Sequence, residues 1–183
     1  MLSIEWLGTA AFRIQYKDWI VLTDPFISRN PFAKPKVKIN HATLAKDVRF
    51  IFISHGHFDH IGDMVKILKL NPQIQVWGPP TSIASIERDI KKQNHLNLLR
   101  CLHSTTEGFI PTLHSEVSAE ASPSKHVHFD AKLILTTLFR IARFPEVKKW
   151  VYPELVTHYR AGETISWLFN FNGYRLRFLG SAG

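Results

Sequence analysis

The stretch FISHGHFDHIGD, Phe52 to Asp63, packs His55, His57, Asp59 and His60 into six consecutive positions, directly behind the apolar run DVRFIFIS. No other feature constrains the fold as strongly. Buried together without a partner, four such groups would carry a heavy desolvation cost. The aromatic and β-branched content of Asp47 to Ser54 predicts a buried strand. Residues two apart at a strand's end point to the same side, so the imidazoles of His55 and His57 can converge on one ion. Asp59 and His60 lie on the turn into a helix opening at Asp63, from which a carboxylate and a third imidazole can face the same region. Imidazole nitrogen and carboxylate oxygen suit Zn²⁺, and also Mn²⁺ or Fe.

The rest of the chain frames that segment with β structure. LSIEWLG and AFRIQY alternate apolar and polar residues, and WIVLTD is a continuous apolar strand behind a Lys17–Asp18 turn. SRNPFAKPKVKINHATL carries two prolines and reads as loop. DMVKILKL has helical spacing, QIQVWGPP is a short strand stopped by Pro79 and Pro80, and TSIASIERDIKKQN is an amphipathic helix with Thr81 as its cap. NLLRCL and GFIPTLHS read as further strands. From about Ser122 to Arg160 the signals turn helical and rich in Phe, Trp and Tyr, which predicts an insertion or lid. ETISWLFNF and YRLRFLGSAG flank Asn172–Gly173, a strong hairpin signal. The echo of the first hairpin in the last suggests two related β-rich halves in one domain, residues 1–183, long enough for one real core.

The pattern His55-x-His57-x-Asp59-His60 behind a buried strand resembles the signature of the metallo-β-lactamase-fold hydrolases. IEWLGTAAFRI, in which Gly8 reads as a turn glycine beside the site, and IVLTDPF, with Asp24 ending a strand, look like the opening of the lactonase-like and general metal-dependent hydrolase branch. GETISWLFNFNGYRLRFLGSAG looks like its later hairpin. The resemblance implies an α/β fold, an αββα sandwich with an incomplete second half and a helical insertion at about 122–160. It implies that His55, His57 and His114, in IPTLHS, hold a first metal and that Asp59 and His60 face a second position. Asp24 would steady the loop beneath. The implied reaction is hydrolysis of an ester, lactone or phosphoester by metal-activated water, Asp59 orienting that water or taking its proton. Where the family has a bridging aspartate this chain has Ser181, a neutral and poor ligand, and the chain ends before the family's last metal-binding histidine. One metal is therefore expected rather than two, in either a shortened piece or a divergent relative.

A formal net charge of +8 favours anionic partners: phosphorylated metabolites, nucleic acid or an acidic membrane surface. The basic residues are dispersed, which argues for a solvated surface over a dedicated nucleic-acid face and leaves a small-molecule substrate, anionic by preference, as the expected partner. A single cysteine, Cys101, excludes an internal disulfide and a Cys-based zinc site, and it reads as a buried small hydrophobe. No run approaches the ~18 apolar residues of a spanning helix, and Met1 to Phe12 lacks the form of a secretory signal, so a cytoplasmic location is expected. Phosphate-loop, dinucleotide and GxSxG motifs are absent. His126 and His128, in SKHVHFD, repeat the His-x-His spacing without the carboxylate–histidine continuation and read as surface or lid residues. His158 and Tyr159 read as ordinary surface. Pro145 and Pro153 break the basic-aromatic stretch LFRIARFPEVKKWVYPELVTHYR, which favours packing or a lid over a membrane face. Two rivals to a hydrolase stay open: a catalytically silent metal-binding scaffold, suggested by Ser181, and a nuclease of the same superfamily, suggested by the charge.

Overall fold

The alternating runs at the start pair with one another, as their period requires. β1 (Leu2–Gly8), β2 (Ala11–Tyr16) and β3 (Trp19–Thr23) form an antiparallel meander, with Lys17 in the left-handed conformation (φ 51°) at the tight turn into β3. This computed structural model describes residues 1–28, 39–114, 116–126 and 159–180. Of the helical insertion expected at about 122–160, residues 127–158 lie outside the described residues, as does Ser181, and 122–124 are strand.

β4 (Phe50–Phe52), β5 (Gln75–Gly78) and β6 (Leu102–Ser104) join β3 in parallel and complete a six-stranded sheet of order β1-β2-β3-β4-β5-β6. Parallel neighbours need crossovers that return over one face of the sheet. Those crossovers carry α1 (His41–Ala45), α2 (Phe58–Ile61), α3 (Met64–Leu70) and α4 (Pro80–Lys92). Their apolar faces bury Leu44, Ile61, Ile67, Leu68, Ile86 and Ile90 against Ile51, Ile53 and Val76.

β7 (Gly108–His114), β8 (Val117–Ser124), β9 (Thr164–Phe171) and β10 (Tyr174–Phe178) build a second, antiparallel sheet of order β10-β9-β8-β7. It covers the face of the first sheet that the helices leave open, and Ile14, Val21, Phe52, Trp167, Phe169 and Phe171 fill the space between. Phe52 sits edge-on to Trp167 and Phe169, with centroids 4.8 and 5.0 Å away, a geometry worth about 0.5–1.5 kcal/mol per pair beyond area burial. The buried Trp167 indole donates to the carbonyl of Ile53 at 2.9 Å, tying the second sheet to the strand that delivers the histidines. The result is the α/β sandwich that the resemblance implied.

Four local expectations change. Asn40 accepts from the amide of Thr43 at 2.8 Å and starts α1 inside a stretch that reads as loop. NLLRCL forms a 3₁₀ turn, Leu96–Cys101, and extends only from Leu102. Pro79, not Thr81, precedes α4, and the Thr81 amide donates instead to Glu163 at 3.2 Å. β8 runs through VSAEASPS, where the sequence shows no evident strand. Its buried residues, Val117, Ala119 and Ala121, do alternate, but small side chains mute the pattern.

Candidate metal centre

Because β3 and β4 are parallel, their carboxyl ends open at the same edge of the sheet, where sites in such sheets gather. Asp24 follows β3 and Ser54–His55 follow β4. Asp24 is fully buried and left-handed (φ 38°), a conformation that aspartate tolerates better than most residues. Its Oδ1 accepts the Ser54 amide at 2.7 Å. Its Oδ2 lies against the Ser54 hydroxyl and 2.7 Å from His60 Nδ1.

Those contacts decide which ring nitrogens carry the proton. A carboxylate only accepts hydrogen bonds, so the Ser54 hydroxyl spends its one hydrogen on Asp24. Ser54 Oγ must then accept from His55 Nδ1, 2.9 Å away, and His60 Nδ1 must donate to Asp24 directly. Both histidines are held with Nδ1 protonated and Nε2 bare, the tautomer control that second partners give metal-ligating imidazoles.

The imidazole of His55 lies in a cluster of rings. The centroid of His55 lies 4.8 Å from His57, 3.9 Å from His60 and 4.8 Å from His126, and His57 lies 4.7 Å from His126. His55 Nε2 and His57 Nδ1 are 3.2 Å apart, close to the ~3.3 Å that separates two ligands on a tetrahedral ion with bonds of about 2.0–2.1 Å. Ligand atoms of His55, His57 and His126 all lie within 4.8 Å of one another. Burial, reinforced by the neighbouring imidazoles, pushes the pKa of His55 down to about 2, and burial with His126 beside it lowers that of His57. Neutral imidazole is the form that ligates a cation. Asp24, His55 and His60 make a second grouping, but the oxygens of Asp24 already receive Ser54 and His60, so it supports the cluster from below. Asp59 stands at the rim, more than a third exposed, with Oδ1 3.7 Å from His60 Nε2.

A strap over residues 159–165 holds the loop in place. The Gly56 amide donates to the Ala161 carbonyl at 3.1 Å, and the Ile165 amide donates to the Ser54 carbonyl at 2.9 Å. A Cβ at Gly56 would strike the carbonyl oxygen of Arg160, which explains the glycine between the two histidines. Tyr159 packs edge-on against Phe58, centroids 5.2 Å apart, and its hydroxyl bonds to Asp89 of α4. Burial and that carboxylate raise the tyrosine's pKa. Tyr159 is therefore no ordinary surface residue. From the other side Asp63 accepts from the amides of Ile27 and Ser28, both at 2.8 Å, from the Ser28 hydroxyl at 2.6 Å, and pairs with His41 at 3.1 Å. Gly180, at φ 65°, leaves room for Ser54 where a Cβ would clash, which brings the end of the last hairpin to the site. Cys101 is buried, and burial raises its thiol pKa, as a small core residue's should be.

The side chain of His114, expected to complete the trio, lies outside the described residues. Its backbone ends β7 and pairs with Val117, whereas Ser124, at the far end of β8, pairs with Thr164 beside the strap. At roughly 3.3 Å per residue, β8 puts on the order of 20 Å between those ends. Among the described residues, the histidine brought to His55 and His57 is His126, two residues past β8, which sequence reasoning set aside with His128; His128 itself lies outside the described residues. Its one available signal was the alternation of β8, which aims the strand's end at the loop. Asp63 and Ser54 were missed as well, although both border the histidine motif.

A family model described as a beta-lactamase superfamily domain matches residues 19–183. A protein of Azorhizobium caulinodans named a metal-dependent hydrolase is 46% identical over 68 residues, 37% of this chain and 27% of its own length. One of the same name from Sulfolobus acidocaldarius is 29% identical over 110 residues, 60% of this chain and 45% of its own. The chain thus spans less than half the length of these relatives. Among solved structures, a metallo hydrolase from Ignicoccus hospitalis superposes with a TM-score of 0.58 at 16% identity, covering 98% of this chain and 60% of that one. CmlA, a diiron beta-hydroxylase from Streptomyces venezuelae, gives 0.57 at 16% identity, covering 98% and 29%. At such identities the likeness is one of fold, and a hydrolase and a hydroxylase share it.

Proposed function

We propose that this chain, which belongs to the beta-lactamase superfamily, is a metal-dependent hydrolase that opens an ester, lactone or phosphoester bond with metal-activated water. The observation that carries the reading is the convergence of His55, His57 and His126, with ligand atoms within 4.8 Å of one another, above an aspartate that fixes the tautomer of His55. A set of three imidazole nitrogens, with His55 buried and His57 and His126 half-buried, fits Zn²⁺ well, and Mn²⁺ or Fe also. When bound, such an ion polarises a substrate oxygen and lowers the pKa of water to about 7.

Each residue has a part in that reading. His55, His57 and His126 hold the ion, in place of the set with His114. Asp24, through Ser54 and His60, keeps the imidazoles turned inward. Asp59, at the rim, orients the attacking water and takes its proton, while His60 Nε2 faces Asp59 and marks a weaker second position. One ion is expected. A small anionic substrate suits the chain's charge of +8. The hydrolase names of the relatives support this reading over a silent scaffold.

Metal analysis of the purified chain, beside a His55→Ala/His57→Ala variant, tests the centre. About one equivalent of zinc, manganese or iron is expected, and well under a tenth of that in the variant. Hydrolysis of lactone, ester and phosphodiester substrates by the fully metallated chain tests the chemistry. Full occupancy with no hydrolysis of any class would refute the hydrolase while leaving the metal centre standing.

A further inference from the structure

Outside the histidine cluster, Thr81, Ala84, Ser85 and Arg88 of α4 face Arg160 across a cavity of about 330 Å³. The spacing of the α4 residues, three and four apart, puts them on one face of the helix. The carboxylates nearby are already engaged. Glu87 pairs with Lys91 at 2.5 Å, Asp89 accepts from the Tyr159 hydroxyl, and Glu163 accepts from the Thr81 amide at 3.2 Å.

The side chains of Arg88 and Arg160, both exposed, have no hydrogen bond or ion pair among the described residues. Two guanidinium groups beside one cavity repel each other unless an anion lies between them. The planar fork of each matches the paired oxygens of a phosphate or a carboxylate. The cavity is also held in shape. Gly162, at φ 60°, packs on Thr81 where a Cβ would clash, and the Arg160 carbonyl rests against Gly56. Arg160 therefore sits on the same strap that steadies the histidine loop, yet among the described residues no candidate metal ligand lines the cavity.

We propose that Arg88 and Arg160 form an anion-binding site on α4 for the phosphate or carboxylate group of a ligand. The proposal does not depend on the hydrolase reading. Phosphate also binds metal ions, so the test must separate the two places.

Inorganic phosphate titrated into the full 183-residue chain at low ionic strength, followed by calorimetry, should show saturable binding at one site. R88A/R160A should weaken it at least tenfold. R88K/R160K, which keeps both charges but loses the fork, should weaken it several-fold, and this pair serves if the alanine variant fails to fold. His55→Ala/His57→Ala should bind phosphate as the unaltered chain does. Absence of saturable binding, equal binding by the lysine variant, or loss of binding in the histidine variant alone would each overturn the proposal.

Discussion

Asp24 sets the tautomers of the histidine cluster from beneath it. Its carboxylate accepts from Ser54 and His60, and the Ser54 hydroxyl in turn accepts from Nδ1–H of His55. Asp24→Asn presents an amide where an acceptor is needed and lets the rings adopt the wrong tautomer. Metal affinity is expected to fall 10- to 100-fold, the usual cost of losing an outer partner, as read by chelator competition. Asp59→Asn should behave differently. It should retain the metal and lower turnover by about 10²–10⁴-fold, the range for a positioned proton acceptor. Metal content and turnover measured on the same preparation distinguish the two roles, and loss of metal from Asp59→Asn would make it a ligand instead. His55, His57, Asp59 and His60 were legible because they are adjacent in sequence. Asp24 was legible only through the resemblance. His126 was not, because its partners lie some seventy residues away and its own His-x-His spacing lacks the carboxylate–histidine continuation.

At the scale of elements, the strap over 159–165 and the turn at Asp63 grip the histidine loop from two sides. Gly56→Ala forces a methyl group against the Arg160 carbonyl. It should break the bond to Ala161 and loosen Tyr159 from Phe58, so that melting temperature and metal affinity fall together. Backbone shifts of this kind cost about 1–3 kcal/mol, which thermal melts with and without chelator would register. An unchanged melting temperature would mean that the strap does not hold the loop. The elements themselves show why some were readable. β1 to β3 and β9–β10 announce themselves through large alternating residues and an Asn-Gly turn. β8 alternates with alanines, and the 3₁₀ turn at Leu96–Cys101 has the apolar run of a strand, which periodicity alone cannot tell apart.

Across the whole molecule, the two sheets meet through Phe52, Trp167 and Phe169, and the Trp167 bond to Ile53 sets the second sheet against the end of β4. That docking carries the end of β8, and with it His126, to the loop after β4. The sandwich was legible from strand content and the motif together. The placement of the third histidine depended on strand register, which no local pattern encodes. The direct measurement compares metal stoichiometry and affinity in His126→Ala and His114→Ala. The expected result is that His126→Ala loses its ion, while His114→Ala retains about one equivalent with near-unaltered affinity. Retention by His126→Ala with loss from His114→Ala would contradict the convergence of His55, His57 and His126.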